Sequence, residues 1–326
     1  MSPFLRTTLS AALAALLLHA ADAAPQAPSA PKPPVAPAAA TLPPFETEQT
    51  NPVSWMGRFG ATNCSWFDMG DGIFLLDTGA TAEDAKNLLA EVKRTCPGKP
   101  VRWIAMTHLH ADSNNGFTSM LPTDITLIVN DRAVESVQTL VRGVKGKAPV
   151  VFGVSDRLVL VGKTQTLEIR ATPAPAHTNY DLWVWASTSG VAYVGDLVTP
   201  TRCPMTSDPG TDPKGWIAVL DTINALHPVY LVPTRGPSTT AAAEQIQLTR
   251  SYLNRLLEIL LDMKGRNAPE ARVSGEIAAR RISEYCPIEL DTINALALYR
   301  RMTPDGSFPL AMPVAPPPAV PAPRKK

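Results

Sequence analysis

Residues 101–107 form an apolar run that leads straight into Thr107-His108-Leu109-His110-Ala111-Asp112. The run reads as a buried strand, and the hexapeptide as the turn that follows it. Two histidines two apart in an extended turn can aim both imidazoles at one ion while Asp112 comes round to face the same centre. A third histidine, His177, lies in Pro175-Ala176-His177-Thr178, another loop between strands. Three neutral imidazoles with one position left open make the donor set of a catalytic zinc site. Any one of these histidines alone would read as an ordinary core or surface residue; the spacing argues for a centre. His227, at the end of a predicted helix before Pro228, reads instead as a helix-terminal residue placed by the dipole.

Around this centre the pattern alternates between strand-like and helical runs. Residues 72–77 read as a strand closed by Thr78-Gly79, and residues 82–95 as a helix with Leu88, Leu89 and Val92 on one face. Residues 126–130 predict a strand, and residues 131–144 a helix capped by Asp131. Strands follow at 157–161, 166–170, 182–185 and 191–194, then a helix over 214–226, a strand over 229–232, and helical stretches over 238–263 and 270–285. Strands followed by helices, twice, with a meander between, predict an α/β architecture of two sheets sandwiched between helical layers. Trp55, Trp66 and Phe67 lie on early strands, where core packing is the reading to set against a place at a pocket mouth.

The ends of the chain differ from this interior. Residues 1–23 carry a short positive start, an apolar stretch from Leu9 to Ala20 too short to span a bilayer, and small residues at Ala21 and Ala23, which is the pattern of a signal peptide. A periplasmic or secreted protein with no stable membrane span after cleavage is the expectation. Residues 24–44 are almost all Ala and Pro and read as an extended linker, and the Pro-rich residues 311–326 repeat the character, leaving residues 45–310 as the folded domain. With 30 basic against 29 acidic residues the formal charge is +1, so no basic field argues for nucleic acid. A small-molecule substrate is the expected partner, and oligomeric state is not written in the pattern. Export permits disulfides among Cys64, Cys96, Cys203 and Cys286, with three pairings possible when all four are bonded. The short basic stretch from Arg142 to Lys147 reads as a solvated loop that can also steer an anion.

In order along the chain, Leu75-Leu76-Asp77-Thr78-Gly79, His108-Leu109-His110-Ala111-Asp112, Ala176-His177-Thr178 and Gly195-Asp196-Leu197 resemble the motifs of the metallo-β-lactamase-fold hydrolases. That resemblance covers nearly all of the folded region. It implies a four-layer αββα sandwich with the site at the sheet edges. It also implies zinc held by His108, His110 and His177, with Asp112 and Asp196 toward a second metal. The implied chemistry is hydrolysis by metal-activated water of lactam, ester, thioester or phosphoester substrates. The Gly195-Asp196-Leu197 loop, followed by Gly215-Trp216 and a helix, is similar to periplasmic hydrolases of unclear substrate, some associated with quinoprotein systems.

The chain departs from the family at two places. Where a histidine usually follows the motif's aspartate stands Ser113, and where the family has a Pro-Gly-His-Gly turn stands Pro233-Thr234-Arg235-Gly236. Both changes strike the second metal, and a protonated guanidinium has no lone pair to give. Three readings follow. In the first, Arg235 replaces the second metal as positive charge, pairs with Asp196 or Asp112, and leaves a one-zinc hydrolase in which Asp112 is the general base. In the second, Cys203 rescues a second metal as a thiolate ligand. In the third, the chain binds metal, or acts as a scaffold, without turnover. Asp77 reads either as a turn residue or as support for a ligand histidine, and Asn114-Asn115 as caps of a following helix.

Overall fold

The structure is a computed structural model that describes residues 46–121, 124–142 and 148–309. The expected leader, linker and tail lie outside the described residues, as do residues 143–147 of the basic loop. Two sheets form. The first runs β1 (Thr47–Asn51), β2 (Ser54–Phe59), β3 (Thr62–Asp68), β4 (Ile73–Leu76), β5 (Val101–Ala105), β6 (Thr126–Asn130) and β7 (Val150–Val154) in that spatial order. It is antiparallel as far as β4 and parallel from β4 to β7. The second holds β8 (Arg157–Val161), β9 (Thr166–Ala171), β10 (Leu182–Ala186), β11 (Val191–Gly195) and β12 (Tyr230–Pro233), antiparallel except for the β11–β12 pair. Helices α1 (Ala82–Thr95), α2 (Ala111–Asn114) and α3 (Val134–Val141) follow strands of the first sheet. Helices α4 (Pro213–Asn224), α5 (Ala242–Gly265), α6 (Val273–Arg280) and α7 (Ile288–Arg301) belong to the C-terminal half.

The four layers follow from the two-residue period of the strands acting on runs that are apolar at every position. In β4, Phe74 and Leu76 face the space between the sheets, whereas Ile73 and Leu75 face α1 and α3 through Leu88, Val92 and Val137. In β10, Leu182 and Val184 face the other sheet, while Trp183 and Trp185 pack with Trp216 of α4 and Leu253, Leu256 and Leu260 of α5. These two central strands therefore bury both faces, and the chain is an αββα sandwich. Full burial of such a side chain is worth about 1.5–3 kcal/mol.

Local chemistry sets the ends. Thr81 caps α1 through a capping box with Asp84. On that helix Leu88 and Val92 are buried but Leu89 is 37% exposed. The helix expected over 131–144 begins as a 3-10 turn at Asp131–Ala133, and its cap is Asn130, whose side chain accepts from the Arg132 N–H. The stretch expected over 270–285 stops at Arg280, because Arg281 takes a positive φ of 48°. A further helix, α7, then starts after Pro287, a residue that cannot sit inside a helix but readily precedes one. Trp66 and Phe67 are fully buried and Trp55 packs against their cluster, so these aromatics are core. Among the described residues no helix is long and apolar enough to cross a membrane.

Candidate metal centre

The histidines and aspartates gather at one end of the sandwich, where β4, β5, β11 and β12 all finish and the β9–β10 loop turns. His108 and His110 follow β5, His177 sits in the β9–β10 loop, Asp196 follows β11 and Arg235 follows β12. Gly195 makes the approach possible. Its φ is +61°, and a Cβ there would lie 2.9 Å from the Cβ of Thr107, so only glycine lets Asp196 come up beside β5. One ligand atom each from His108, His110, His177 and Asp196 lies within 4.8 Å of the others. The rings pack edge to face, with centroids 4.7 to 5.1 Å apart.

The outer nitrogen of each ring is committed to an acceptor, which fixes the tautomer. His110 Nε2 donates to Asp208 Oδ2 at 2.8 Å, leaving Nδ1 to face inward, 3.4 Å from His177 Nε2. His177 Nδ1 donates to the Met205 carbonyl at 3.2 Å. The Thr107 hydroxyl donates to Asp77 Oδ2, so its oxygen is left to accept from His108 Nδ1 at 2.9 Å. Three lone pairs, Nε2, Nδ1 and Nε2, thus converge. His108 Nε2 and Asp196 Oδ1 are buried with no hydrogen-bond partner among the described residues. Such orphans are costly in a protein interior unless something else binds them, and a divalent cation fits this donor set.

Burial keeps two of the three imidazoles neutral. Burial lowers His108 well below the usual histidine range and brings His177 down to about 4. For His110 burial is again the largest single effect and acts downward, but the Asp208 hydrogen bond and the charges of Asp208, Asp196 and Asp112 together outweigh it and raise the ring. Asp77 is held in a left-handed turn, φ 63°, and collects donors from Thr107 N, Thr107 Oγ1, Asn114 Nδ2 and Thr234 Oγ1. Burial still pushes it up to about 6. Asn114 precedes the 3-10 helix Asn115–Met120, as expected, but its side chain makes no capping bond. Its amide bridges Asp77 and the His108 carbonyl, tying the motif to the neighbouring strand.

On the other side of the centre Arg235 bridges two carboxylates: Nε to Asp196 Oδ2 at 2.8 Å and Nη2 to Asp112 Oδ2 at 2.6 Å. Burial would raise Asp196, but the His108 and His177 rings and the guanidinium together hold it below the usual carboxylate range. Gly236 follows at φ +90°, and a Cβ there would lie 2.5 Å from the Pro200 carbonyl. Asp112 stands outside the four-residue cluster, its side chain 52% exposed. Ser113 is buried, and its carbonyl accepts from the N–H groups of Thr78 and Gly79.

A cleft of about 920 Å³ opens over the centre, lined by His110, Asp112, His177, Asp196 and Arg235 together with Arg202, Met205, Tyr285 and Leu290. Cys203 also lines it, but as a disulfide with Cys286. This overturns Cys203 as a metal ligand, because a sulfur bonded to sulfur has no thiolate to offer. Cys64 and Cys96 are free and buried, small members of the core. His227 is exposed and apart from the centre. Sequence reasoning missed Asp208, Thr107 and Thr234. Asp208 sits in a turn, accepting from Gly210 N, and nothing in the pattern links it to His110, 98 positions earlier.

Comparison with known proteins agrees with this geometry. The metallo-beta-lactamase superfamily model matches residues 57–118, a span that includes Asp77 and the His108–Asp112 motif. A metallo-beta-lactamase from Pontibacter korlensis aligns with TM-score 0.53 and 20% identity, over 64% of this chain and 99% of that one. The stereoselective inverting sec-alkylsulfatase Pisa1 from Pseudomonas sp. aligns with TM-score 0.62 and 14% identity, over 78% of this chain and 50% of that one. A double mutant of the same sulfatase gives 0.61 and 13%, over 77% and 49%. This chain thus spans about half the length of the sulfatase. No curated protein matches it by sequence. At these identities the likeness speaks for architecture, and with the two sheets, the helical layers and the matched histidine segment it leads to one statement: this chain has the metallo-β-lactamase fold.

Proposed function

We propose that the chain is an exported hydrolase that holds one zinc ion through His108 Nε2, His110 Nδ1 and His177 Nε2, with Asp196 beside it and Arg235 in place of a second metal. The observation that carries this reading is the Arg235 bridge to Asp112 and Asp196. It puts a permanent cation between two carboxylates that would otherwise face a second ion. Zinc held by the three rings would supply a Lewis acid that lowers the pKa of water toward neutrality. The chain's own residues do the rest. Asp208, the Met205 carbonyl and Thr107 hold the rings in register. Arg235 neutralises Asp196 and fixes the orientation of Asp112. The Oδ1 of Asp112, approached among the described residues only by Ser113 Oγ at 3.5 Å, takes the proton of an attacking water as general base. The Cys203–Cys286 disulfide supports an oxidising compartment, periplasmic or extracellular, and residues 1–23 are the signal that directs the chain there.

One observation favours zinc binding without turnover: Asp112, the base of the hydrolase reading, already has one oxygen in an ion pair with Arg235. Two measurements separate the readings. Metal analysis after dialysis against a weak chelator is expected to give one zinc per chain, rising toward two in Arg235→His; two tightly held zincs in the wild type would sink the replacement reading. A panel of ester, thioester, lactam and phosphodiester substrates is expected to show chelator-sensitive turnover of at least one, and a silent panel favours the binding protein.

A further inference from the structure

The cations of the cleft are not equivalent. Arg235 gives its Nε and Nη2 to Asp196 and Asp112, so the paired donors of its fork are already taken up by the protein. Arg202, which also lines the cleft, is exposed, and among the described residues its guanidinium has no hydrogen bond or ion pair. It is a permanent charge with five donors and no carboxylate to use them on.

The position of Arg202 is held by more than its own side chain. Its N–H donates to the Thr199 carbonyl. The next residue, Cys203, is bonded to Cys286, with Cα atoms 5.4 Å apart. Beyond it, Asn294 of α7 accepts from Thr206 N and donates to the Pro204 carbonyl. The residue before Cys286 is Tyr285, 43% exposed, and Met205 on the same wall is 39% exposed. With Pro287 and Leu290 they form an apolar lining. The disulfide therefore places a free guanidinium and an exposed aromatic side by side on a braced wall. Exposed apolar side chains grouped in a concave site, with few polar groups among them, mark a ligand's apolar body. A preorganised cation at its rim marks an anionic end.

We propose that this cleft binds an amphiphilic anion, a small molecule with an apolar body and a carboxylate-like head, and that Arg202 reads the head while Met205, Tyr285 and Leu290 receive the body. The proposal rests on the hydrolase reading only in taking this cleft as the substrate site; recognition itself is separable from turnover.

Calorimetric titration of the zinc-loaded full chain with octanoate and with the neutral octanamide tests it. The wild type is expected to bind octanoate roughly tenfold more tightly than octanamide, the scale of a charge-assisted contact in a partly desolvated site. Arg202→Gln should abolish that preference while leaving octanamide binding and zinc content unchanged, and Arg202→Lys should retain part of it. Tyr285→Ser should weaken both probes alike. Equal binding of the two probes, no binding of either, or a preference that survives in Arg202→Gln, as it would if the carboxylate went to the metal, overturns the proposal. A silent substrate panel with the Arg202-dependent preference intact overturns the hydrolase reading instead.

Discussion

On one side of the centre, His108, His110 and His177 each turn a lone pair inward and commit the other ring nitrogen to an acceptor; on the other, Asp112 and Asp196 commit theirs to Arg235. Both sides are partly or wholly buried, but they differ in what the chain itself supplies. The histidine side turns lone pairs toward a point that a metal ion could occupy. The arginine side already contains its cation, covalently attached. On the proposed reading a two-metal arrangement can lose half its ligands without losing its charge balance: a guanidinium keeps the positive charge near the carboxylates and removes the coordination chemistry. That separation of charge from ligation is what the comparison teaches, and it can be broken at four places.

The largest effect is expected on the histidine side. His177→Ala should cut zinc affinity by more than about a hundredfold, beyond what loss of a ligand's partner costs, with any turnover lost alongside it. Zinc retained at wild-type affinity, measured by competition with a chromogenic chelator, would show that the three rings are not the ligand set.

Next comes the arginine side. Arg235→Ala leaves the buried Asp196 carboxylate without its guanidinium, so the chelator-treated variant should be less stable by about 3 kcal/mol, the scale for removing one partner of a buried pair. Added zinc should recover much of this, because a divalent cation is the alternative counter-charge. Denaturant melts with and without zinc check it, and an unchanged midpoint in the metal-free variant would remove Arg235 from its charge-balancing role.

A smaller change is expected at the support of His110. Asp208→Asn should weaken zinc binding by roughly 10–100-fold while leaving the fold intact. The amide can still accept from the ring, but it no longer provides the charge that raises His110.

The smallest concerns the loop that carries His177. Asp181 accepts from Thr178 N and Oγ1 and closes that loop, and burial pushes its carboxyl up to about 7. Below about pH 4 the folded and unfolded carboxyls both hold the proton. As the pH rises the unfolded chain releases it first, so the favourable contribution is lost on the way up to about pH 7. Asp181→Asn should flatten this decline by on the order of 1 kcal/mol, read as the difference in thermal melts between variant and wild type across that range. A parallel offset at every pH would mean that the carboxyl is ionised throughout.

The strand runs, the helix over residues 82–95 and the His108–Asp112 motif were legible in the sequence because each depends on residues near one another in the chain: a two-residue period, a cap three positions from its partner, two histidines after one strand. Reading Ser113 and Arg235 in place of metal ligands also needed only the motif, since a guanidinium cannot coordinate zinc in any fold. What tertiary structure alone decided is every pairing between distant segments. Asp208 meets His110 across 98 positions, and Cys203 finds Cys286 across 83. None leaves a local trace, because a turn aspartate or a lone cysteine looks the same whatever the sheets bring beside it. The sequence determined which chemical groups this protein has. The packing of the two sheets decided which of them face one another, since only the converging strand ends place groups from three separate loops within reach of one ion.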